Sequence, residues 1–468
     1  MAFLPPGPRE SPTRQLARWT RQPTLFLESI QREFGDVFTL RFPGYPPLVV
    51  ISRPDDVRAV FTAAQTTVEQ GPFPPFMRPL LGEQSLFFLE GMPHQRERKL
   101  LMPAFHGERM LSHSDTIQKI TRAALERCPR NQPFLLAPIV RDISLHVILQ
   151  VVFGIGDAAR LEALYGLLAH QSEQARRTRR MSSLLTTLAM LLVPGPALDS
   201  LYRWGGRGLD GSGRLDVSSF FPWKTAIRLQ AKMDRLLDFE ISRLNVESLE
   251  SRDDILAILA QSTDEDGARM SRSHLRDEMV TFLVAGHETS ATGLAWYFEL
   301  VLRHPDVLAQ LRAELYAAGG ASSVSPQKLQ QLPWLDATLR ETLRLRPVVP
   351  QSARRLLQAM PLDRWVLPTG TVILPSIYLA HRRAETYPTP EAFRPQRFLE
   401  KRFSPYEFFP FGGGSRRCIG MTFALFEMKV IIATLLESSL RCAGPAAGVA
   451  LRAITMAPDS GVPVIVEG

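Results

Sequence analysis

The run Phe411-Gly-Gly-Gly-Ser-Arg-Arg-Cys-Ile-Gly420, followed at once by Met421-Thr-Phe-Ala-Leu-Phe-Glu427, constrains this chain more than any other stretch. It presents one cysteine for ligation. The three glycines put no side chain in the way of a flat ligand and can take the positive φ angles that a bulged, hairpin-like loop requires. Backbone amides can then point at the sulfur. Arg416 and Arg417 raise the local positive potential, and the apolar run from Met421 reads as the start of a helix whose N-terminal dipole favours a thiolate. Cys418 is therefore set up as an anion. Cys128 and Cys442 lack such surroundings and read as small hydrophobic residues.

The spacing Phe-x-x-Gly-x-Arg-x-Cys-x-Gly is met at five specified positions, Phe411, Gly414, Arg416, Cys418 and Gly420. In this the chain resembles the cytochrome P450 family. The resemblance implies that Cys418 is the axial thiolate ligand of the iron of a haem b, the type of ligation whose electron donation favours O–O cleavage. It also implies that Phe411 shields the sulfur, that Arg416 pairs with a haem propionate, and that Gly414 and Gly420 shape the loop.

Four further motifs follow in the same order along the chain as in that family. Ala285-Gly-His-Glu-Thr-Ser290 lies inside an apolar segment, Leu275 to Leu302, that reads as a buried helix. Its 28 residues would suit a membrane span, but Arg276, Asp277, Glu278, His287 and Glu288 interrupt it and argue against one. Gly286 weakens the helix, and Thr289 can bond back to the carbonyl four residues earlier, so a groove or kink is expected there. An acid beside an alcohol at such a place can hold water and relay protons. The resemblance assigns Glu288 and Thr289 to proton delivery and Ala285 to the distal haem face. His287 occupies a position that the family leaves variable.

Glu341-Thr-Leu-Arg344 puts a carboxylate and a guanidinium on one helix face that Pro347 should end. Phe393-Arg-Pro-Gln-Arg-Phe398 stands where the family places the arginine that closes a buried triad, which implies a structural unit of Glu341, Arg344 and Arg397 that locks the ligand loop. Such a triad is costly to desolvate unless it is fully paired. In Gly91-Met-Pro-His-Gln-Arg-Glu-Arg-Lys-Leu100, His94 and Arg98 are four apart and share a helix face. The family places such a pair on the haem propionates. Arg354, in Gln351-Ser-Ala-Arg-Arg355, looks like a further propionate partner, with Arg355 as the alternative.

The resemblance covers residues 30 to 466 as one haem-binding catalytic domain, after a proline-containing N-terminal segment 1 to 29. The expected fold is mainly α with a small β region, and the haem is buried between the long central helix and the cysteine loop. Helices are expected over Gln22 to Glu33, Pro54 to Ala63, Ser114 to Arg127, Leu136 to Phe153, Trp223 to Asn245, His274 to Leu302, Pro305 to Ala317, Leu335 to Leu345 and Met421 to Leu436. Strands are expected over Val37 to Arg41, Pro47 to Ile51 and Thr371 to Leu374. The N-terminus is too broken by proline to read as an anchor, and Leu184 to Val193 is too short to span a bilayer. With three cysteines, one committed to iron, there is no disulfide framework, and a cytoplasmic, bacterial-type monomer is expected.

The net charge is +8 from 55 basic and 47 acidic residues. No basic and aromatic interleaving forms a nucleic-acid module, and Arg176-Arg-Thr-Arg-Arg180 reads as a solvated helix face. Arg96, Arg98 and Lys99, with Arg417 and Lys429, read instead as a surface that steers an acidic electron carrier. A ferredoxin or flavodoxin with its NAD(P)H-dependent reductase is the expected partner. The resemblance implies an apolar distal pocket at Phe73, Phe76, Phe87, Phe88, Phe282, Val348 and Val349 and a lid over Leu184 to Val193 and Trp204 to Gly213, whereas Arg78 reads as an ordinary exposed loop arginine and not as a carboxylate holder. A lipophilic substrate follows. The leading expectation is a monooxygenase that inserts one atom of O2 by hydroxylation or epoxidation, as in secondary metabolism. Peroxide-driven or isomerising haem-thiolate chemistry is the alternative, and a non-enzymatic haem sensor or carrier comes third.

Overall fold

The computed structural model describes residues 4–71, 78, 81–105, 107–157, 160, 224–244, 252–320, 323–452 and 454–468. They fall into two compact units. One draws on Met1–Pro72, Met102–Val147 and Ala285–Gly468, the other on Phe73–Leu101 and Ile148–Val284.

In the first unit a five-stranded sheet runs in the order Val37–Leu40, Leu48–Ile51, Val372–Pro375, Arg354–Leu356, Val68–Gln70. Only the pair Leu48–Ile51 and Val372–Pro375 is parallel, with Val49 opposite Ile373. Because side chains alternate along a strand, Val49 and Ile51 enter one core with Val57, Val60 and Phe61 of helix Pro54–Thr62, while Leu48 and Val50 enter another with Phe26, Leu27 and Ile30 of helix Pro23–Phe34. Both faces are covered, which is why these strands read as unbroken apolar runs. Helix Met421–Leu435 packs on Ser114–Glu126, and that helix on Leu136–Val147.

Most expected helices stand within one or two residues of their expected ends, including Pro305–Ala317, Pro333–Leu345 and Met421–Leu435. The helix expected over Leu136 to Phe153 is α only to Val147 and continues as a π-helical turn, Ile148–Val152. The segment before residue 30 is also structured. Ser11 accepts the amide of Arg14 and caps a helix, Pro12–Arg21, that buries Gln15 and Trp19. Its signal, Ser followed by Pro, was in the sequence, but an apolar stripe of one tryptophan is too narrow to reveal it.

The long helix runs from Arg272 to Val301 without a break in its helical assignment. Among the described residues, no helix is long and apolar enough to cross a membrane.

Candidate active site

Cys418 lies exposed on the loop, two residues before helix Met421–Leu435 is capped by Gly420. Its amide donates to the Phe411 carbonyl at 2.9 Å and closes the loop on itself. Gly412 and Gly414 have φ of +69° and +66°, so the turn needs residues without a Cβ. A Cβ on Gly413 would sit 2.2 Å from the Phe61 ring, so helix Pro54–Thr62 can approach the loop only because that position is bare. The loop is thus tethered at Phe411 and packed against Phe61. Cys128 is buried with its thiol on the Ala124 carbonyl, and burial pushes its pKa up, as it does for the half-buried Cys442.

The Arg354-Arg355 doublet is separated by strand alternation. Arg354 is buried and donates from Nη2 to the Gly413 carbonyl at 2.9 Å and from Nη1 to Ser352 Oγ at 2.8 Å. Arg355, on the other face, is exposed and pairs with Glu69. Arg416 sits in the short turn Gly414–Arg416.

Behind the loop, Glu341, Arg344 and Arg397 are brought together with their side chains almost wholly out of solvent. Arg344 grips Glu341 in bidentate fashion, Nε to Oε2 at 2.7 Å and Nη2 to Oε1 at 2.9 Å. Its Nη1 donates to the carbonyls of His381 and Pro390, both at 2.8 Å. Arg397 Nε reaches Glu341 Oε1 at 3.1 Å, and the Arg394 amide reaches the same oxygen at 2.8 Å. The triad therefore fastens the segment 381–397. His381 carries the restraint onward, because its Nε2 accepts the Phe409 amide at 3.0 Å, two residues before Phe411. Burial, then Arg344 and Arg382, hold the His381 pKa well below its ordinary value, so Nε2 stays free of a proton and able to accept.

On the long helix, Ala285 to Thr289 are only partly buried, whereas Ser290 to Val301 are buried throughout. Thr289 Oγ1 donates to the Ala285 carbonyl at 2.7 Å and to the Gly286 carbonyl at 3.1 Å. Glu288 does not stand alone. Arg141, on helix Leu136–Val147, donates from Nε to its Oε2 at 2.8 Å. Nothing in the sequence pairs these two, which lie on separate helices.

One residue later, Ser290 hydrogen-bonds Glu427, which also accepts from Ser144 Oγ at 2.8 Å. Glu427 is nine residues past Cys418 and wholly buried, so it ties the long helix to the helix of the cysteine loop. Gly293 allows the close crossing, since a Cβ there would meet Met428 Sδ at 3.0 Å. An acid inside the apolar run Met421–Leu435 was the available sign that this position has a partner.

Burial pushes the Glu427 carboxyl up from 4.5 to about 7, against the opposing pull of its two serine hydrogen bonds. An acid whose pKa is raised on folding makes the native state bind more protons than the unfolded state, so its contribution to stability falls between about pH 4.5 and 7 and is flat above. Glu427→Gln is expected to remove that slope, worth on the order of 3 kcal/mol across the window. Urea unfolding of both proteins at a series of pH values checks this.

His94 and Arg98 belong to the other unit, on helix Gly91–Leu101, where His94 is buried and Arg98 half-buried. Phe87 and Phe88 are half-buried and Phe282 is buried in the same unit; Val348 and Val349 are half-buried in the first. Arg78 is exposed, pairs with Glu83 and stacks on the Phe88 ring. Phe73, Phe76, the expected lid and the Arg176 cluster lie outside the described residues. Lys429 corrects an expectation: it is buried, with Nζ 2.8 Å from Asp336 and 2.9 Å from the Gln330 carbonyl, so it serves packing and not an outward docking face.

The family model of cytochrome P450 matches residues 5–204 and 215–438. The chain belongs to the cytochrome P450 family. It is 35% identical over 435 residues to the provisionally named cytochrome P450 135B1 of Mycobacterium tuberculosis, covering 93% of this chain and 84% of that one. It is 33% identical to the provisionally named cytochrome P450 138 of the same species, with coverage of 93% and 89%. Among solved structures, the retinoic-acid-bound cyanobacterial CYP120A1 superposes with a TM-score of 0.81 at 23% identity, covering 100% of this chain and 99% of the other. The cytochrome P450DA heme domain does so with a TM-score of 0.79 at 21% identity. The fold is that of a P450, and the cofactor is a cysteine-ligated haem. P450s are haem-thiolate oxidoreductases of the monooxygenase type. The residues present fit the group: an exposed cysteine just before a helix N-terminus, a loop kept bare by glycine, and a buried guanidinium on the loop carbonyl.

Proposed function

We propose that the protein is a monooxygenase whose haem iron is held by Cys418, and that it hydroxylates or epoxidises a lipophilic substrate with electrons from a ferredoxin or flavodoxin and its NAD(P)H-dependent reductase. The observation that carries this reading is the loop itself, in which the amide of the exposed Cys418 closes onto the Phe411 carbonyl and Arg354 holds the Gly413 carbonyl. The bound haem supplies O2 activation and one-electron chemistry. Phe411 would shield the sulfur, Gly414 and Gly420 would leave the loop bare for the haem, Arg354, Arg416, His94 and Arg98 would hold its carboxylates, and Ala285 would contact it from the long helix. The substrate-binding surface is proposed to include Phe87, Phe88 and Phe282.

The chain's own part in the chemistry is proton handling. Thr289 Oγ1 spends its proton on the helix carbonyls, which leaves its lone pairs to accept a hydrogen bond from water or substrate oxygen. Glu288 is the acid beside it, kept in place by Arg141 and still partly exposed. The Ser290 to Glu427 bond fixes the turn on which both sit.

The test supplies redox partners and a panel of lipophilic substrates, and measures NAD(P)H consumed, product formed and hydrogen peroxide released. Substrate-dependent consumption with product is the expected result. Glu288→Gln is expected to lower product formation by about 100-fold, the lower range for a lost proton-transfer group. Thr289→Ala is expected to divert electrons to hydrogen peroxide. Product formed at the native rate with peroxide alone, and unchanged in both variants, would favour peroxide-driven chemistry instead.

A further inference from the structure

Beside the residues assigned to haem, the second unit contains three convergent donors that no part of the oxygenase reading uses. Glu97 lies on helix Gly91–Leu101, and His274 and Glu278 lie four apart on one face of the long helix. Their ligand atoms are all within 4.8 Å of one another. Glu278 is fully buried and Glu97 is 6% exposed. Each keeps an oxygen without a hydrogen-bond partner, Oε2 of Glu278 and Oε1 of Glu97. His274 Nε2 stands 3.0 Å from Glu97 Oε2 but out of line for a hydrogen bond.

The surroundings do not satisfy these atoms. The neighbouring segment spends its donors elsewhere: the Leu86 amide on Glu278 Oε1 at 2.7 Å, the Gln84 amide on Asp277, and the Ser85 hydroxyl on Thr281. Buried polar atoms are nearly always paired, so three unpaired donor atoms facing one another need a common partner.

We propose that Glu97, His274 and Glu278 bind a divalent first-row transition-metal ion, zinc being the natural occupant of such a donor set. Two carboxylates and an imidazole, two of them at i and i+4 on a helix, are a three-ligand zinc arrangement that leaves a fourth position for water. An imidazole donor counts against calcium or magnesium. The partly exposed edge of His274 gives the ion a way in. The ion would clamp the helix that carries His94 and Arg98 to the long helix.

The test uses the haem-loaded protein, stripped with dipicolinate, dialysed against micromolar zinc chloride and analysed for zinc and iron by plasma emission, with thermal melting alongside. One zinc per chain, and a melting temperature several degrees higher with zinc than without, are expected. Glu97→Gln keeps the shape of the side chain, and His274→Ala alters a partly exposed one; each is expected to weaken zinc binding by more than about 100-fold while iron content is retained. Absence of zinc from the native protein, or equal zinc in the native protein and His274→Ala, overturns the proposal.

Discussion

Cys418→Ser abolishes the strongly red-shifted Soret band that the dithionite-reduced native protein shows under carbon monoxide, and with it all oxygenation. The expectation rests on three observations. Cys418 is the exposed cysteine, it precedes a helix N-terminus, and its loop is fastened through Phe411 and Arg354. A serine hydroxyl is far more basic than a thiol and does not ionise there, so it cannot donate charge to iron as a thiolate does. The two remaining cysteines cannot stand in, since burial holds both in the thiol form. A variant that keeps the red-shifted band would remove Cys418 from the iron and withdraw the oxygenase proposal with it.

Arg344→Met destabilises the protein by about 3–5 kcal/mol and loosens its hold on haem, read from urea unfolding and from the ratio of iron to chain. The size follows from what is left behind. Glu341 would remain fully buried with its charge and only Arg397 and the Arg394 amide as partners. The carbonyls of His381, Pro390 and Ala392 would each lose a donor. Arg344→Lys should rescue little, because an ammonium cannot reach Glu341 in bidentate fashion and serve three carbonyls at once. Loss of haem is expected because the restraint passes from the triad through His381 to the Phe409 amide, next to the cysteine loop. A cost below about 1 kcal/mol would mean that the triad is replaceable packing.

Much of the local structure around Cys418 was readable because it depends on near neighbours in the chain. The cysteine loop states its turn, its charge and its helix within seventeen consecutive residues, Phe411 to Glu427, and the helix carrying Glu341 and Arg344 declares itself by spacing. The apolar runs at Leu48–Ile51 and Val372–Pro375 likewise announced strands, since both faces are buried. Less could be read where a residue's role depends on a partner from another element. Lys429 looked like one more surface lysine, and the reason it is buried is Asp336, on a different helix.

The sequence by itself was enough to reach the family and the fold class, because the motifs that carry the resemblance depend on glycine turns, a helix start and i, i+3 or i, i+4 spacing, which act between near neighbours in the chain. Only the tertiary structure decided which arginine of the 354–355 doublet faces the loop, that Arg141 holds Glu288, that Glu427 keeps its proton near neutrality, and that Glu97 meets His274 and Glu278. Those are matters of desolvation and of distance between elements far apart in sequence. Burial and pairing set their energies, and neither exists until the chain has folded.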